Sequence, residues 1–258
     1  MILAIDIGNT SLEMGCVDND EILFHERIGT DLRKTELEYT IAFKGILNFF
    51  SVNLNAIEGV IMSSVVPSLT NTIETAIGKL TGEKAMIVGP GVKTGLNILL
   101  DNPTDMGADL VANAVAGIAE YGFPLIIVDM GTATTIEVVD RKGNYIGGAV
   151  MPGFNSSFYS LIRSAARLPN IEPEAPGKTI GKNTIDCMKS GIVYGNASMV
   201  DGMIDRIEKE LGYGVKIVAT GGMAKTLVSV CKHDILLDQE LLMKGLNIIY
   251  KKNTEKKA

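Results

Sequence analysis

Two stretches of this chain repeat one pattern, and the repeat limits what the chain can fold into. Ile5-Asp6-Ile7-Gly8-Asn9-Thr10-Ser11 stands near the start, and Val128-Asp129-Met130-Gly131-Thr132-Ala133-Thr134-Thr135 near the middle. Each follows an apolar run, Ile2 to Ile5 and Pro124 to Val128, and each leads into a second strand-like stretch. Positions 6 and 129 are separated by close to half of the 258 residues. A duplicated strand–Asp-x-Gly–hydroxyl loop predicts two similar halves, residues 1–115 and 116–258, facing each other across a cleft. Such a pair of loops would hold the two ends of a polyphosphate and its metal.

The patterning around the loops agrees with two α/β halves. In the first, Leu12–Val17 and Glu21–Ile28 bracket the turn cluster Asp18-Asn19-Asp20 and read as a hairpin. Apolar residues at helical spacing predict a helix over Thr35–Phe50, and further helices over Leu69–Leu80 and Ala108–Glu120. Gly59–Ser63 and Ala85–Val88 read as strands. In the second half, strands are expected over Pro124–Val128, Thr135–Asp140, Tyr145–Val150 and Lys216–Ala219. Helices are expected over Ser156–Ala166, Thr184–Leu211 (interrupted at Gly191 and Gly195) and Gln239–Tyr250. Hairpin strands followed by alternating helix and strand predict mixed sheets flanked by helices.

Composition narrows the function class. A net charge of −6 argues against nucleic-acid binding. The basic stretch Lys251–Ala258 reads as a frayed terminus. No apolar run reaches the roughly 18 residues of a membrane span, and the start of the chain does not read as a secretion signal. Three scattered cysteines give no metal spacing or disulfide framework, so a cytoplasmic location is expected. The two histidines, His25 and His233, have no neighbouring nucleophile, so they read as packing or surface residues.

The loops carry the chemistry. Asp6, at the end of a buried strand, lies where α/β proteins bind ligands. Gly8 lets the backbone approach a phosphate oxygen, and Asn9, Thr10 and Ser11 add neutral donors. A carboxylate beside a phosphate needs a cation between them, so Asp6 is a candidate Mg²⁺ anchor through water. One Asp-x-Gly is equally a plain turn. A second copy with Asp129, Gly131, Thr132, Thr134 and Thr135 is not explained by β-propensity. Thr220-Gly221-Gly222 follows a strand and would allow close approach of a ring or ribose. Gly147–Gly153 shapes either a cleft wall or a turn. Gly89–Gly95 lacks the Gly-Lys-Ser/Thr order of a P-loop.

Taken together and in this order, the segments resemble those of the type III pantothenate kinases. Asp6–Thr10 is similar to that family's first phosphate motif and Asp129–Thr135 to its second. Asn102-Pro103 through Gly107-Ala108-Asp109 is similar to its substrate motif, Gly147–Gly153 to its interface segment and Thr220-Gly221-Gly222 to its adenosine motif. Arg167-Leu168-Pro169 and Gly181-Lys182-Asn183-Thr184 also fall in the family's order. The resemblance implies two duplicated ribonuclease-H-like domains of the actin, heat-shock chaperone ATPase and sugar kinase superfamily. It implies a homodimeric transferase that moves the γ-phosphate of ATP to the pantothenate hydroxyl, the first step of coenzyme A biosynthesis. Asp109 would be the general base and Asp6 would stand near Mg²⁺. Asp129 would stand near a monovalent cation, K⁺ or NH₄⁺, and Thr184 would complete the substrate pocket across the dimer interface. Read from the residues alone, Asp109 is equally a helix N-cap.

Two positions depart from the family pattern, both in the substrate motif. Gly-Ala-Asp is usually followed by an arginine that pairs with the substrate carboxylate, and here Leu110 follows. A tyrosine usually stands shortly before Asn-Pro, and here Leu100 does. Losing a charge-assisted hydrogen bond costs about 1.5–3 kcal/mol, roughly 10- to 150-fold in affinity. A weak pantothenate kinase is one outcome, a compensating cation such as Lys93 or Arg163 a second, and a paralogous kinase for another alcohol a third. A non-catalytic nucleotide-binding regulator is a separate reading, which the presence of Asp6, Asp109 and Asp129 speaks against. The glycine-rich Gly147–Gly153 and the apolar Phe154, Phe158, Tyr159, Leu161 and Ile162 predict a dimer-forming stripe or, alternatively, a helix packed on its own sheet.

Overall fold

The computed structural model describes residues 1–164, 169, 171–172 and 174–254. The predicted motif at Arg167-Leu168, the end of the expected helix at Ala166 and the last residues of the basic terminus lie outside the described residues. The chain divides into two compact units. The first comprises Met1–Leu96, Asp101–Ala116 and Glu240–Ala258, the second Asn97–Leu100 and Gly117–Gln239.

The first unit is built on β1 (Ile2–Ile7), β2 (Ser11–Asp18), β3 (Glu21–Gly29), β4 (Gly59–Ser64) and β5 (Ala85–Ile87), in the order β3-β2-β1-β4-β5. β1 is central and buried along its whole length. It pairs antiparallel with β2 and parallel with β4. The hairpin turn uses Asn19 and Asp20 at φ 47° and 70°, a backbone those short polar residues tolerate. One sheet face packs its alternate residues (Leu3, Ile5, Ile7) against Tyr39, Phe43 and Leu47 of α1 (Glu36–Phe49) and Leu69 and Ile73 of α2 (Pro67–Thr81). α1 starts at a capping box: the Thr35 side chain accepts from Glu38 N, and the Glu38 carboxylate accepts from Thr35 N at 2.8 Å. Pro67 opens α2, and Gly82 closes it in the left-handed region at φ 74°.

The unit also contains the start of α3 (Ala108–Tyr121) and all of α7 (Leu241–Thr254). The C-terminal helix therefore groups with the first unit, whereas the half boundary read from the sequence placed it in the second. Small residues make room for it: Gly15 lies against Met243, Gly59 under Tyr250, and Gly245 over the Ala112 carbonyl. Asp20 in the hairpin turn accepts from Asn247 Nδ2 at 2.7 Å and Lys251 Nζ at 2.6 Å.

The second unit repeats the plan. β7 (Leu125–Met130), β8 (Ala133–Val139) and β9 (Asn144–Pro152) form an antiparallel meander. β10 (Lys216–Thr220) and β11 (Leu236–Leu237) add parallel strands beside β7, and β6 (Asn97–Ile98) adds to the outer edge of β9. The order β9-β8-β7-β10-β11 matches β3-β2-β1-β4-β5 strand for strand. Ile126, Val128 and Ile136 pack against Phe154 and Phe158 of α4 (Phe154–Ser164) and against α5 (Thr184–Leu211). The expected apolar stripe on α4 is thus partly internal: Phe154 and Phe158 are core, while Tyr159 and Leu161 are exposed. α5 is one continuous helix of 28 residues, not interrupted at Gly191 and Gly195. Its packed face, from Met188 to Ile204, outweighs the roughly 1 kcal/mol that each interior glycine costs. α6 (Ala224–Val228) follows β10. Among the described residues, no helix is long and apolar enough to cross a membrane, and Cys16, Cys187 and Cys231 are free.

Candidate active site

In the first unit, Asp6 sits near the C-terminal end of β1 and is 8% exposed. Register places it between Ser63 on β4 and Glu13 on β2, and Ser63 Oγ donates to Asp6 Oδ1 at 2.6 Å. The chain then turns through Gly8, Asn9 and Thr10, the last two exposed. Gly8 N donates to Ser11 O at 3.0 Å. A Cβ on Gly8 would stand 2.9 Å from that same oxygen, so the tight turn requires glycine. Thr30 clamps the loop from outside: its N–H donates to Thr10 O at 3.0 Å and its Oγ1 to Gly8 O at 2.7 Å.

The same unit contains the first turn of α3, where Gly107, Ala108, Asp109 and Leu110 are all half-buried. Asp109 is the second residue of the helix, not its cap, and its Oδ1 accepts from Leu110 N at 2.9 Å. Its carboxyl lies so close over Gly107 that a side chain there would collide with it. Burial pushes the Asp109 carboxyl above the usual aspartate value, against the opposing effect of the backbone N–H groups of Leu110 and Asp109 itself. A carboxylate raised in this way is a stronger proton acceptor than an exposed one, which suits a general base.

In the second unit, Asp129 occupies the corresponding position near the end of β7, in register with Thr220 on β10 and Thr135 on β8. Gly221 follows β10 at φ 92°, in the left-handed region. A Cβ there would stand 2.5 Å from Asp129 Oδ1 and 2.8 Å from Met130 N. Glycine is therefore required twice over, by conformation and by space. Gly222 beside it is exposed. The loop at Gly131 and the exposed Thr132 is braced from outside by the start of α4: Ser156 Oγ donates to Thr132 O at 2.9 Å, and Gly153 lies under both loop carbonyls.

The strand alternation separates the two threonines that the sequence leaves together. Thr134 is 1% exposed, while Thr135 shares the face of Asp129. Thr135 Oγ1 is buried and has no hydrogen-bond partner. Ser63 and Thr30 brace the first loop and were absent from the sequence candidates, whereas Thr135 was among the threonines singled out with Asp129. The signal for Ser63 was a pair of serines closing an apolar parallel strand.

Other candidates fall elsewhere. Leu100 belongs to the second unit and approaches Gly147, with Cδ2 3.7 Å from where a Cβ would stand. Thr184 is the exposed first residue of α5, behind the cap in which the Asn183 side chain accepts from Asp186 N at 2.9 Å. The Gly89–Gly95 loop is tied to α7: Lys93 N donates to Asn253 Oδ1 at 3.0 Å and Lys252 Nζ donates to Thr94 O at 3.0 Å. This use of its backbone fits the reading that it is not a P-loop. Lys93 and Arg163 are exposed. Among the described residues, no group of three or more His, Cys, Asp or Glu could hold a metal. A lone carboxylate at Asp6 nevertheless fits Mg²⁺, which keeps waters and binds through one or two carboxylates plus substrate phosphates.

The sequence profile of the type III pantothenate kinases matches residues 2–206. The chain is 45% identical over 253 residues to the type III pantothenate kinase of Brevibacillus brevis, covering 98% of this chain and 99% of that protein. It is 44% identical to the enzyme of the same description from a Geobacillus species, covering all of both chains. Among solved structures, a conserved Baf-family protein of Campylobacter jejuni aligns with a TM-score of 0.61 at 18% identity, covering 98% of each chain. Component A of the Acidaminococcus fermentans (R)-2-hydroxyglutaryl-CoA dehydratase aligns at 0.60 and 15%, covering 98% of this chain and 99% of that one. These structural likenesses show the fold alone: two repeated α/β units with mixed sheets flanked by helices. With the profile and the full-length relatives in agreement, the chain belongs to the type III pantothenate kinase family.

Proposed function

We propose that this kinase transfers the γ-phosphoryl group of ATP to the pantothenate hydroxyl, giving 4'-phosphopantothenate in the first step of coenzyme A biosynthesis. The observation that carries the reading is the 45% identity, over 98% of the chain, to a protein described as a type III pantothenate kinase. Phosphoryl transfer needs positioning and charge neutralisation more than covalent chemistry. Gly8, Asn9 and Thr10 form the phosphate-binding loop of the first unit and Gly131 and Thr132 that of the second, with Thr134 buried on the opposite face of β8 from Thr135, and Gly221 and Gly222 accommodate the adenosine. Asp6 anchors Mg²⁺ through water and Asp129 a monovalent cation, K⁺ or NH₄⁺. Magnesium, when bound, neutralises the charge on the transferring phosphoryl group. Asp109 accepts the proton of the attacking hydroxyl, and its raised pKa supports that role. Gly107, Ala108 and Leu110, beside Asp109 in the first turn of α3, contact the pantothenate, and the protein acts in the cytoplasm.

The exposed Val150, Tyr159 and Leu161 support a homodimer in which Thr184 serves the partner's pocket. A monomer by light scattering at micromolar concentration would remove both statements. Leu110 favours a second reading, a different alcohol acceptor, because leucine cannot pair with the pantothenate carboxylate. Incubation with ATP, Mg²⁺, K⁺ and pantothenate, read by mass spectrometry, separates the two. Phosphopantothenate confirms the first reading. Its absence in the wild type together with its appearance in Leu110→Arg favours the second.

A further inference from the structure

Ser63 closes an otherwise apolar strand, Val60-Ile61-Met62, and is fully buried. A buried hydroxyl at such a position costs stability unless it is hydrogen-bonded. Its hydrogen bond goes to Asp6 Oδ1 at 2.6 Å, the length of a charge-assisted bond to a carboxylate. The other oxygen, Oδ2, is on the side of the phosphate loop, 3.6 Å from where a Gly8 Cβ would stand. Across the antiparallel neighbour, Glu13 faces Asp6 in register. Like charges directly opposite one another repel, but the Glu13 carboxylate is engaged by His25 Nε2 at 2.8 Å and by an Arg27 guanidinium nitrogen at 2.7 Å.

We infer that Ser63 is a positioning residue for the Asp6 carboxylate, fixing it with Oδ1 turned to the sheet and Oδ2 turned to the loop where phosphate and metal meet. The inference rests on the reading of Asp6 as the Mg²⁺ anchor. Groups that orient a metal-binding carboxylate typically contribute about 10- to 100-fold to metal affinity.

The test is calorimetric titration of Mg²⁺ into the full chain saturated with a non-hydrolysable ATP analogue. It compares wild type, Ser63→Ala, Ser63→Thr and Asp6→Asn, with melting temperatures taken without nucleotide. The expected result is Mg²⁺ binding about tenfold weaker in Ser63→Ala and restored by Ser63→Thr, with both variants still folded and melting in one cooperative transition. If Ser63→Ala does not fold, Ser63→Cys, of similar size with a weak donor, carries the same expectation. Wild-type Mg²⁺ binding in Ser63→Ala alongside a loss in Asp6→Asn overturns the inference and leaves the Asp6 reading intact. Wild-type binding in Asp6→Asn removes the Asp6 reading and the inference with it. A loss in Ser63→Ala that threonine does not restore also overturns it, because the hydroxyl would not be the cause.

Discussion

The two sheets have the same strand order and place an aspartate at the same point of their central strand, yet the residues flanking that aspartate differ. In the first sheet the row reads Ser63, Asp6, Glu13, Arg27, with two carboxylates, a guanidinium and a hydroxyl. In the second it reads Thr220, Asp129, Thr135, Val150, one carboxylate between two hydroxyls. The loops are also braced differently, by Thr30 in the first and by Ser156 and Gly153 in the second. Both sheets carry the carboxylate at the strand end, where α/β sheets bind ligands, while its surroundings differ. On the proposed assignment the row with fixed charges surrounds the Mg²⁺ anchor. The row of hydroxyls surrounds the proposed monovalent site.

The largest expected effect comes from exchanging the two aspartates' roles. Asp6→Asn should weaken activation by Mg²⁺ about 10- to 100-fold and Asp129→Asn activation by K⁺ to a similar degree, each sparing the other ion. Activation constants measured for both ions in both variants decide this. A shift of the same ion in both would erase the contrast.

Next are the glycines beside them. Gly221→Ala forces a left-handed residue and a collision with backbone, so a loss on the order of 3 kcal/mol is expected in urea unfolding. Gly8→Ala brings a Cβ to 2.9 Å from the Ser11 carbonyl oxygen but demands no left-handed backbone, so a smaller loss of about 1–2 kcal/mol is expected. Equal losses would mean that the two turns are equally tight.

The rows also differ in their response to acid. Burial raises the Glu13 pKa, but the hydrogen bond from His25 and the charge of Arg27 outweigh it and leave a net lowering from 4.5. A lowered folded pKa gives stability that is present above the unfolded value and is lost as pH falls through the folded one. Melting temperatures taken below pH 5 should therefore fall less steeply for Glu13→Gln than for wild type, while Thr135→Val leaves the slope unchanged. The smallest effect is that of Thr30→Val, which removes one side-chain donor to the first loop and should cost about 1 kcal/mol. No change in ATP-analogue affinity would show that the backbone bond from Thr30 holds the loop without it.

The strand-end aspartates, their glycines and most of the helices were legible in the sequence, because two apolar runs each broken by Asp-x-Gly half a chain apart are not explained as separate plain turns. What was not legible depends on register or distance. Ser63 acquires its role only because β4 lies parallel to β1 and in step with it. Thr134 and Thr135 are neighbours in sequence but occupy opposite faces, and the sequence does not show which face is buried. The C-terminal helix joins the first unit because Gly15 and Gly59 leave room for Met243 and Tyr250, a fit made far along the chain. The two-residue strands β6 and β11 are too short to show any periodicity.

The most direct test of this account is ADP release from ATP with Mg²⁺ and K⁺, with and without pantothenate, for wild type and Asp109→Asn. The account predicts release that requires pantothenate and falls by about 100-fold or more in the variant. Its acid limb should lie above the ordinary aspartate value of 3.8, in keeping with the raised Asp109 carboxyl. Release indifferent to pantothenate, or undiminished in Asp109→Asn, would contradict it.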